Sequence, residues 1–395
     1  MKVNWKTLLA ALMALTLSLG GCQSANKEEK PVQQEVQAET ASQDWTDMQP
    51  IGQMELKYAT QFTADYYEGG LSLVTIADQD RFLVVPEQGT VPENLEENIV
   101  VLQQPLDKIY LVATSAMDLF RELDSIGNIR LSGTKEKDWY IPEAVEAMDE
   151  GEMLYAGKYS SPDYELILSE GCNLAVESTM VYHNPEVKEQ LEGLGIPVLV
   201  ERSSYESDPL GRMEWLKLYG LLLGKSEEAE NAFRQETQKV EEVLGQEQTG
   251  KTVSFFYITS NGAANIRKSG DYVAKMIQMA GGEYIFSDLS SPENALSTMN
   301  MQMEDFYAGA KDADFLIYNS AIDGELQTID QLLEKSSLLA DFKAVKEGNA
   351  WCTGKNLFQE SMGLGGLIVD MHRMMTEGAD APDQLTYLHR LKAEK

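Results

Sequence analysis

The stretch from Asp208 to Gln246 constrains the fold of this chain more than any other part of the sequence. Pro209 suits the first turn of a helix, where its missing N–H costs no hydrogen bond, and apolar residues then recur at helical spacing. Ser226 offers a second N-cap before another periodic run. The pattern predicts one long helix of about 50 Å, or two helices with a bend near Gly224.

The segments on both sides of this connector alternate short apolar strands with helix-length stretches. Such alternation is typical of α/β layers, and each flank has the size of one domain. We expect an α/β protein with two Rossmann-like lobes joined by one long backbone helix. The predicted N-terminal lobe spans 47–207, the backbone helix 208–246 and the C-terminal lobe 247–395.

The first 22 residues have the layout of an export signal. A short basic leader precedes an apolar run from Thr7 to Leu19, which is shorter than a typical membrane span. The run leads into Gly20-Gly21-Cys22, and small residues before a cysteine resemble a bacterial lipoprotein signal in which Cys22 is lipidated. The alternative is an ordinary signal peptide with an incidental cysteine. Residues 23–46 are polar and predict a disordered tether, so we expect an exported protein anchored to a membrane.

Charge and composition argue against several functions. The formal net charge of −32 at pH 7 argues against a nucleic-acid partner, because phosphate binding needs concentrated basic residues. It also disfavours free anionic ligands unless local arginines reverse the field inside a cleft. Cys172 and Cys352 fall one in each lobe, and we expect both to be small buried hydrophobes. We expect no cofactor. Binding of a bare zinc or manganese ion needs several histidine or carboxylate ligands, and the histidines are only His183, His372 and His389, so we expect no bare metal ion.

Three features together resemble a substrate-binding protein of an ABC importer: the leader, the two lobes, and a connector carrying Pro209-Leu210-Gly211-Arg212 and Trp215. The group in question joins its lobes by a rigid helix and binds iron-siderophores, haem or vitamin B12. The resemblance covers about 155–375 and is strongest at 195–198 and the connector, whereas 45–101 fits less clearly. It implies a monomer that holds a small metal-chelate or tetrapyrrole-like ligand between its lobes and docks on the subunits of a permease.

The resemblance also implies which residues dock. In such proteins a glutamate on each lobe commonly meets an arginine of the permease, and Glu165 and Glu304 stand at the matching positions. Two acidic points on a stiff frame fix the orientation of the complex and contribute mainly to encounter and specificity. The alternative is that both are ordinary exposed glutamates in the first turn of a helix, where the helix dipole favours them.

Ligands of open α/β sheets meet the loops at the carboxyl ends of the strands. Those loops hold many tyrosines and several cations, which suit a conjugated ligand bearing carboxylate or catecholate groups. Arg202 and Arg267 are the predicted clamp, one from each lobe, although each has carboxylates nearby with which to pair instead. His183 is either a ligand of an iron or cobalt centre in the cargo or plain polar surface. The predicted cleft residues are Tyr155, Tyr159, Ser178, Thr179, Tyr182, His183, Arg202, Tyr205, Asn261, Arg267, Asn319, Lys355 and Asn356.

A membrane-anchored extracellular hydrolase is the competing class. Ser178 and His183 would supply its nucleophile and base, but no Gly-x-Ser-x-Gly turn is present, and two residues of one short loop rarely reach that geometry. We therefore expect a binding protein without catalytic residues. Another small organic solute remains the alternative cargo.

Overall fold

The computed structural model describes residues 43–289 and 297–393. The predicted signal peptide, Cys22 and most of the predicted tether lie outside the described residues. The last residues of the predicted tether are folded. Trp45 is buried against Tyr67, and its backbone N–H donates to the carbonyl of Glu93 at 2.9 Å. Folded structure therefore includes residues before 47, the predicted start of the first lobe. Within the described ranges, no helix is both long and apolar enough to cross a membrane.

A five-stranded sheet comes first in the chain, with its strands in sequence order. Strands β1 to β4 are antiparallel and β5 runs parallel to β4. Strands β3 and β4 form a hairpin, pairing from Ser72↔Val84 to Ile76↔Asp80 around a tight turn. The strands are β1 (Gly52–Gln53), β2 (Phe62–Tyr66), β3 (Ser72–Ile76), β4 (Asp80–Val85) and β5 (Ile99–Gln103).

The N-terminal lobe follows as alternating strands and helices. Its main sheet has the order β12-β11-β6-β7-β8, and every pair in it is parallel, so all the carboxyl ends meet at one edge. The elements are β6 (Ile109–Leu111), α1 (Met117–Glu122), β7 (Ile129–Ser132), α2 (Pro142–Asp149), β8 (Leu154–Tyr155), β9 (Gly157–Lys158), β10 (Ser161–Pro162), α3 (Tyr164–Ser169), β11 (Leu174–Ser178), α4 (Pro185–Gly193) and β12 (Val198–Glu201).

The connector consists of two helices, α5 (Pro209–Leu222) and α6 (Ser226–Leu244). Gly224 has φ +70°, a left-handed conformation that glycine adopts freely, and it lies in the bend between them. Lys217 of α5 contacts Glu230 and Phe233 of α6, so the second helix runs back along the first. The expectation of one continuous helix of 50 Å is therefore wrong, and the alternative with a bend near Gly224 is confirmed.

The C-terminal lobe is built on a seven-stranded mixed sheet. Its order is β16-β14-β13-β17-β18-β19, with β15 also paired to β13. The segment that carries the predicted cleft residues Asn261 and Arg267 contains a strand, because Ala264 and Ile266 turn inward and β14 pairs with β13. The elements are β13 (Thr252–Ile258), β14 (Ala264–Arg267), α7 (Tyr272–Met279), β15 (Glu283–Tyr284), β16 (Thr298–Met301), α8 (Met303–Ala310), β17 (Phe315–Tyr318), α9 (Ser320–Asp323), α10 (Ile329–Lys335), α11 (Lys343–Lys346), β18 (Ala350–Thr353), α12 (Leu364–Glu377) and β19 (Leu388–Arg390).

Helix α5 packs against both lobes. Tyr219 meets Phe120 of α1 edge-on, with 5.1 Å between ring centroids, and the guanidinium of Arg212 lies 3.6 Å from the ring centroid of Tyr272 in α7. Most of the other side chains of α5 are also buried, including Trp215, which is fully inaccessible. Helix α5 is thus a buried element between the two lobes, whereas α6 buries only one of its faces.

Candidate functional site

A cavity of about 460 Å³ opens at the carboxyl edge of the N-terminal sheet. Its size falls within the range of about 300 to 1,000 Å³ that is usual for small-molecule sites. The residues after β6, β7, β11 and β12 contribute to it, as the parallel arrangement of those strands requires. Its lining is Val112, Ala113, Thr114, Ser115, Gly133, Thr134, Lys158, Tyr159, Ser178, Thr179, Met180, Glu201 and Ser204.

Hydroxyl groups dominate this lining. Three predicted cleft residues, Tyr159, Ser178 and Thr179, are among them, and all three are partly exposed. Each hydroxyl both donates and accepts hydrogen bonds, so the wall can match polar groups of either kind. Within this lining Lys158 and Glu201 are the charged side chains.

Glu201 is the buried acid of the cavity. The side chain is 2% exposed and accepts hydrogen bonds from the N–H of Ser203 at 2.8 Å and from the hydroxyl of Ser115 at 3.3 Å. Burial raises the pKa of the Glu201 carboxyl, while the hydrogen bonds from Ser203 and Ser115 lower it. A carboxylate offers about four acceptor positions, so two contacts leave room for a further donor.

Arg202 organises an aromatic cluster beside the cavity, which we call the Arg202 cluster. Its guanidinium lies 4.3 Å from the ring centroid of Tyr205 and 3.4 Å from both the hydroxyl of Tyr182 and the amide oxygen of Gln61. Tyr182 and Tyr205 are 46% and 54% exposed, which leaves ring faces open for stacking. Arg202 lies in the chain between the cavity residues Glu201 and Ser204, whereas Arg202, Tyr182 and Tyr205 are themselves outside the cavity lining.

The C-terminal lobe contributes a second cavity of about 340 Å³. Lys355 and Asn356 line it, and Tyr140 of the N-terminal lobe closes one side, so the space lies between the lobes. Asn356 is already engaged, because its amide donates to Glu360 at 2.8 Å. Asn261 is exposed in the turn after β13, and its side-chain oxygen accepts from the hydroxyl of Thr259.

Other predicted cleft residues have structural contacts. Arg267 lies in β14, 8% exposed, with its guanidinium 3.6 Å from the Asp271 carboxylate and beside three aromatic rings. Asn319 is buried and caps α9 by accepting from the N–H of Ala321 at 3.2 Å. The Asp271 contact corresponds to the alternative in which Arg267 pairs with a nearby carboxylate and not with a ligand. Arg202 is the more accessible of the two arginines.

Tyr155 and His183 are both exposed. The Tyr155 ring has the Lys135 ammonium 5.5 Å from its centroid, and His183 ends a short 3₁₀ turn after β11. Among the described residues no hydrogen bond joins Ser178 to His183, and no group of three or more histidine, cysteine, aspartate or glutamate side chains is placed to hold a metal ion. The described geometry therefore contains no assembled nucleophile and base in this loop.

Glu165 and Glu304 occupy equivalent local positions on the two lobes. Each is exposed in the first turn of a short helix, α3 and α8 respectively. Asp163 caps α3 by accepting from the N–H of Leu166 at 3.1 Å, so Glu165 is free to face outward. The arrangement fits both the docking role and the helix-dipole alternative.

The sequence interpretation missed several cavity residues. It considered the loops after β11 and β12 but not those after β6 and β7, which supply Ser115 and Thr134. Applying the same strand-end rule to every strand would have found both. Gln61 carries no such signal, because it reaches Arg202 from the turn just before β2, in the part of the chain that forms a separate sheet.

Comparison with known proteins supports the fold. No protein-family model matches the chain. A Methanocaldococcus jannaschii protein named as an uncharacterized lipoprotein is 25% identical over 329 residues, which cover 77% of each chain. A second uncharacterized lipoprotein of that organism is 24% identical over 402 aligned positions, covering 98% of this chain and 99% of the relative.

Several solved structures share the architecture. A periplasmic haem-binding protein of Vibrio cholerae superposes with a TM-score of 0.54 at 16% identity, covering 67% of this chain and 97% of its own. An Fe³⁺-hydroxamate transport protein of Saccharomonospora viridis gives 0.54 at 16% identity, with coverages of 69% and 94%. A periplasmic vitamin B12-binding protein of Vibrio cholerae gives 0.50 at 15%, with coverages of 69% and 99%. Nearly the whole of each structure thus matches about two thirds of this chain.

Proposed function

We propose that this chain, which has the fold of the substrate-binding proteins of ABC transporters, captures an iron-siderophore, haem-like or corrinoid ligand and delivers it to a permease. It acts outside the cytoplasm from a lipid anchor and has no catalytic step. The location of the cavity supports this function, because it lies at the strand ends where α/β sheets receive ligands. Proteins of the same fold are named for haem, hydroxamate and vitamin B12.

The Arg202 cluster is the main observation that supports the proposed ligand class. The guanidinium stacked on Tyr205 has five N–H donors, of which three make contacts of 3.4 Å with Tyr182 and Gln61, and the other two match carboxylate or catecholate oxygens. The exposed faces of Tyr182 and Tyr205 can stack on a conjugated ligand. In a chain of net charge −32, Arg202 and Lys158 also make this rim locally favourable for an acidic chelate.

A fluorescence titration tests the ligand class. The full chain in detergent is titrated with ferric siderophores, haemin and cobalamins, and Trp139 serves as a local probe because its indole N–H donates to Ser132 at the end of β7. We expect one class to give a saturable change, and Arg202→Ala to weaken its affinity about 10-fold or more, as loss of a charged contact of 1.4 kcal/mol or more requires. Arg234→Ala, at an exposed position on α6, is the control and should bind as the parent does.

Three results would contradict the proposal. If no ligand of the panel saturates, the cargo belongs to another chemical class. If Arg202→Ala binds as tightly as Arg234→Ala, the Arg202 cluster is not part of the site. Turnover of an ester panel by the purified chain would instead favour the hydrolase.

Permease docking through Glu165 and Glu304 is a further part of the proposal. Their exposure on both lobes supports it. The double variant Glu165→Ala/Glu304→Ala should keep its ligand affinity but lose delivery through the cognate permease in proteoliposomes. Glu189→Ala, at an exposed glutamate of α4, is the matched control. Undiminished delivery by the double variant would leave both glutamates as ordinary surface residues.

Lipidation at Cys22 completes the proposal. The names of both archaeal relatives as lipoproteins support it. The variant Cys22→Ser should move from the membrane fraction to the soluble fraction after export, without a change in ligand affinity. Retention of this variant on the membrane would show that another segment anchors the chain.

A further inference from the structure

The segment between β18 and α12 makes a group of contacts with the opposite lobe. The side chain of Gln359 spans two backbone groups of the N-terminal lobe: its oxygen accepts from the N–H of Tyr140 at 2.7 Å, and its amide donates to the carbonyl of Asp138 at 2.8 Å. A glutamine amide is matched to such a pair, since it offers one acceptor and one donor side by side. The contact therefore fixes the relative position of two backbones that belong to different lobes.

Two further hydrogen bonds follow immediately along the chain. The hydroxyl of Ser361 donates to the carbonyl of Ser115 at 2.7 Å, and the N–H of Met362 donates to the carboxylate of Asp118 at 2.8 Å. Asp118 is fully buried and forms an ion pair of 2.6 Å with Arg121 in the same helix. Residues 359–362 thus bond to the N-terminal lobe at four points in four residues.

Ser115 belongs to both this contact and the ligand cavity. Its side chain lines the cavity and donates to Glu201 at 3.3 Å, while its carbonyl receives the Ser361 hydroxyl. A molecule that shifts the backbone of Ser115 therefore also shifts the carbonyl to which Ser361 is bonded. One residue thus joins the cavity wall to the other lobe.

We propose that residues 359–362 form a latch that opens and closes as one unit, sets the separation of the two lobes, and is coupled to the cavity through Ser115. The latch itself follows from the contacts between lobes. Its coupling to ligand rests on the function proposed above. Each of these hydrogen bonds is of ordinary strength. Because four of them lie on one short segment, they must break together when the lobes separate.

Two amides report on the latch, one in each lobe. The N–H of Tyr140 is held by a C-terminal side chain, and the N–H of Met362 is held by an N-terminal carboxylate. Their hydrogen exchange in the full chain, measured by mass spectrometry at single-residue resolution, therefore reads the open fraction from both sides. The measurement needs no ligand.

Ser361→Ala is the decisive variant, because it removes neither reporter's acceptor. If the latch is cooperative, losing the Ser361 hydrogen bond should speed exchange at both Tyr140 and Met362 by about fivefold, the factor that corresponds to one typical hydrogen bond. Gln359→Ala should speed Met362 by a similar factor, in addition to its local effect on Tyr140. Ser337→Ala, at an exposed serine of the same lobe, is the control and should change neither amide.

Independent contacts would give a different pattern. If Ser361→Ala leaves both amides unchanged, or if Gln359→Ala affects Tyr140 alone, the latch does not act as a unit and the proposal is overturned. Ferric desferrioxamine, haemin and cyanocobalamin are then added separately to the parent chain. Whichever binds should change exchange at both amides in the same direction; binding that leaves both unchanged removes the coupling through Ser115. If none binds, the proposed cargo fails while the exchange results still decide the latch.

Discussion

Glu214 fastens the first sheet to the connector, and its replacement by glutamine should cost more stability than any surface change. The carboxylate is fully buried on α5 and accepts from the backbone N–H groups of Lys57 at 3.0 Å, Tyr58 at 2.7 Å and Ala59 at 2.8 Å. It also forms an ion pair of 3.1 Å with Lys217. One side chain thus satisfies three successive donors of the segment that leads into β2.

The magnitude follows from which contacts glutamine can keep. Its oxygen can replace the one that faces Tyr58 and Ala59, but its NH₂ then opposes the ammonium of Lys217. Hydrogen bonds to charged groups contribute about 1.5 to 3 kcal/mol each, and breaking a buried ion pair costs about 3 to 5 kcal/mol. Lys217 keeps Glu230 at 3.0 Å and the carbonyl of Glu55 at 2.9 Å, which offsets part of the loss. We therefore expect Glu214→Gln to lower the free energy of unfolding by about 2 to 3 kcal/mol.

Urea unfolding followed by circular dichroism measures this loss. Glu241→Gln is the matched control, because Glu241 pairs with the ammonium of Lys57 on the surface, at 3.6 Å with both side chains more than half exposed. Exposed pairs contribute about 0 to 1 kcal/mol, so the control should unfold close to the parent. If Glu214→Gln also unfolds within about 0.5 kcal/mol of the parent, the carboxylate does not fasten the sheet and the reasoning fails.

Three further outcomes are expected. Burial without a hydrogen-bond partner raises the pKa of Glu177 to about 8, above its unfolded value, so stability should fall as the pH rises from about 4.5 through 8. Glu177→Gln should consequently gain about 4 kcal/mol relative to the parent between pH 5 and 9 in urea unfolding, and a constant difference would refute this. Gly220→Ala should lose about 1 to 3 kcal/mol in the same assay, because a Cβ there would lie 2.4 Å from that of Ala229; no loss would mean that α5 and α6 do not pack back to back. Burial raises the thiol pKa to about 11 for Cys172, which is partly buried, and to about 12 for Cys352, which is fully buried, so iodoacetamide at pH 8 should label both slowly in the native chain, and rapid labelling before unfolding would contradict this.

Periodicity predicted the elements of this fold better than their arrangement. Apolar runs located the strands of both lobes, because buried parallel strands need continuous hydrophobic residues. The direction of α6 was not predictable in this way, since helical periodicity continues across Gly224 with little interruption. What reverses the chain is tertiary packing, with Gly220 small enough to admit Ala229. The local sequence pattern therefore predicts that α5 and α6 are helices, whereas contacts between residues distant in sequence set the angle between them.

The site shows the same division. Arg202, Tyr182 and Tyr205 were predictable because each follows a strand at the same edge of one sheet. The state of Arg267 was not, because its partner Asp271 and the strand β14 that buries it become evident only when the sheet is assembled. The sequence shows that a residue is an arginine, but it does not show whether the guanidinium is available to a ligand or already forms an ion pair within the protein.

The connector limits how far the lobes can move. It does so through its packing on both lobes and not through the stiffness of one continuous helix. Helix α1 is held on one side by Phe120, which packs on Tyr219 of the connector, and on the other by Asp118, which accepts from Met362 of the opposite lobe. A large rotation would have to separate the buried aromatic pair, whereas a small one needs only the hydrogen bonds of the latch to break. Hydrogen bonds at a lobe boundary can be replaced by hydrogen bonds to water at a modest net free-energy cost, whereas separating packed aromatic rings exposes apolar surface. Small displacements at the latch are therefore the motion that this architecture permits.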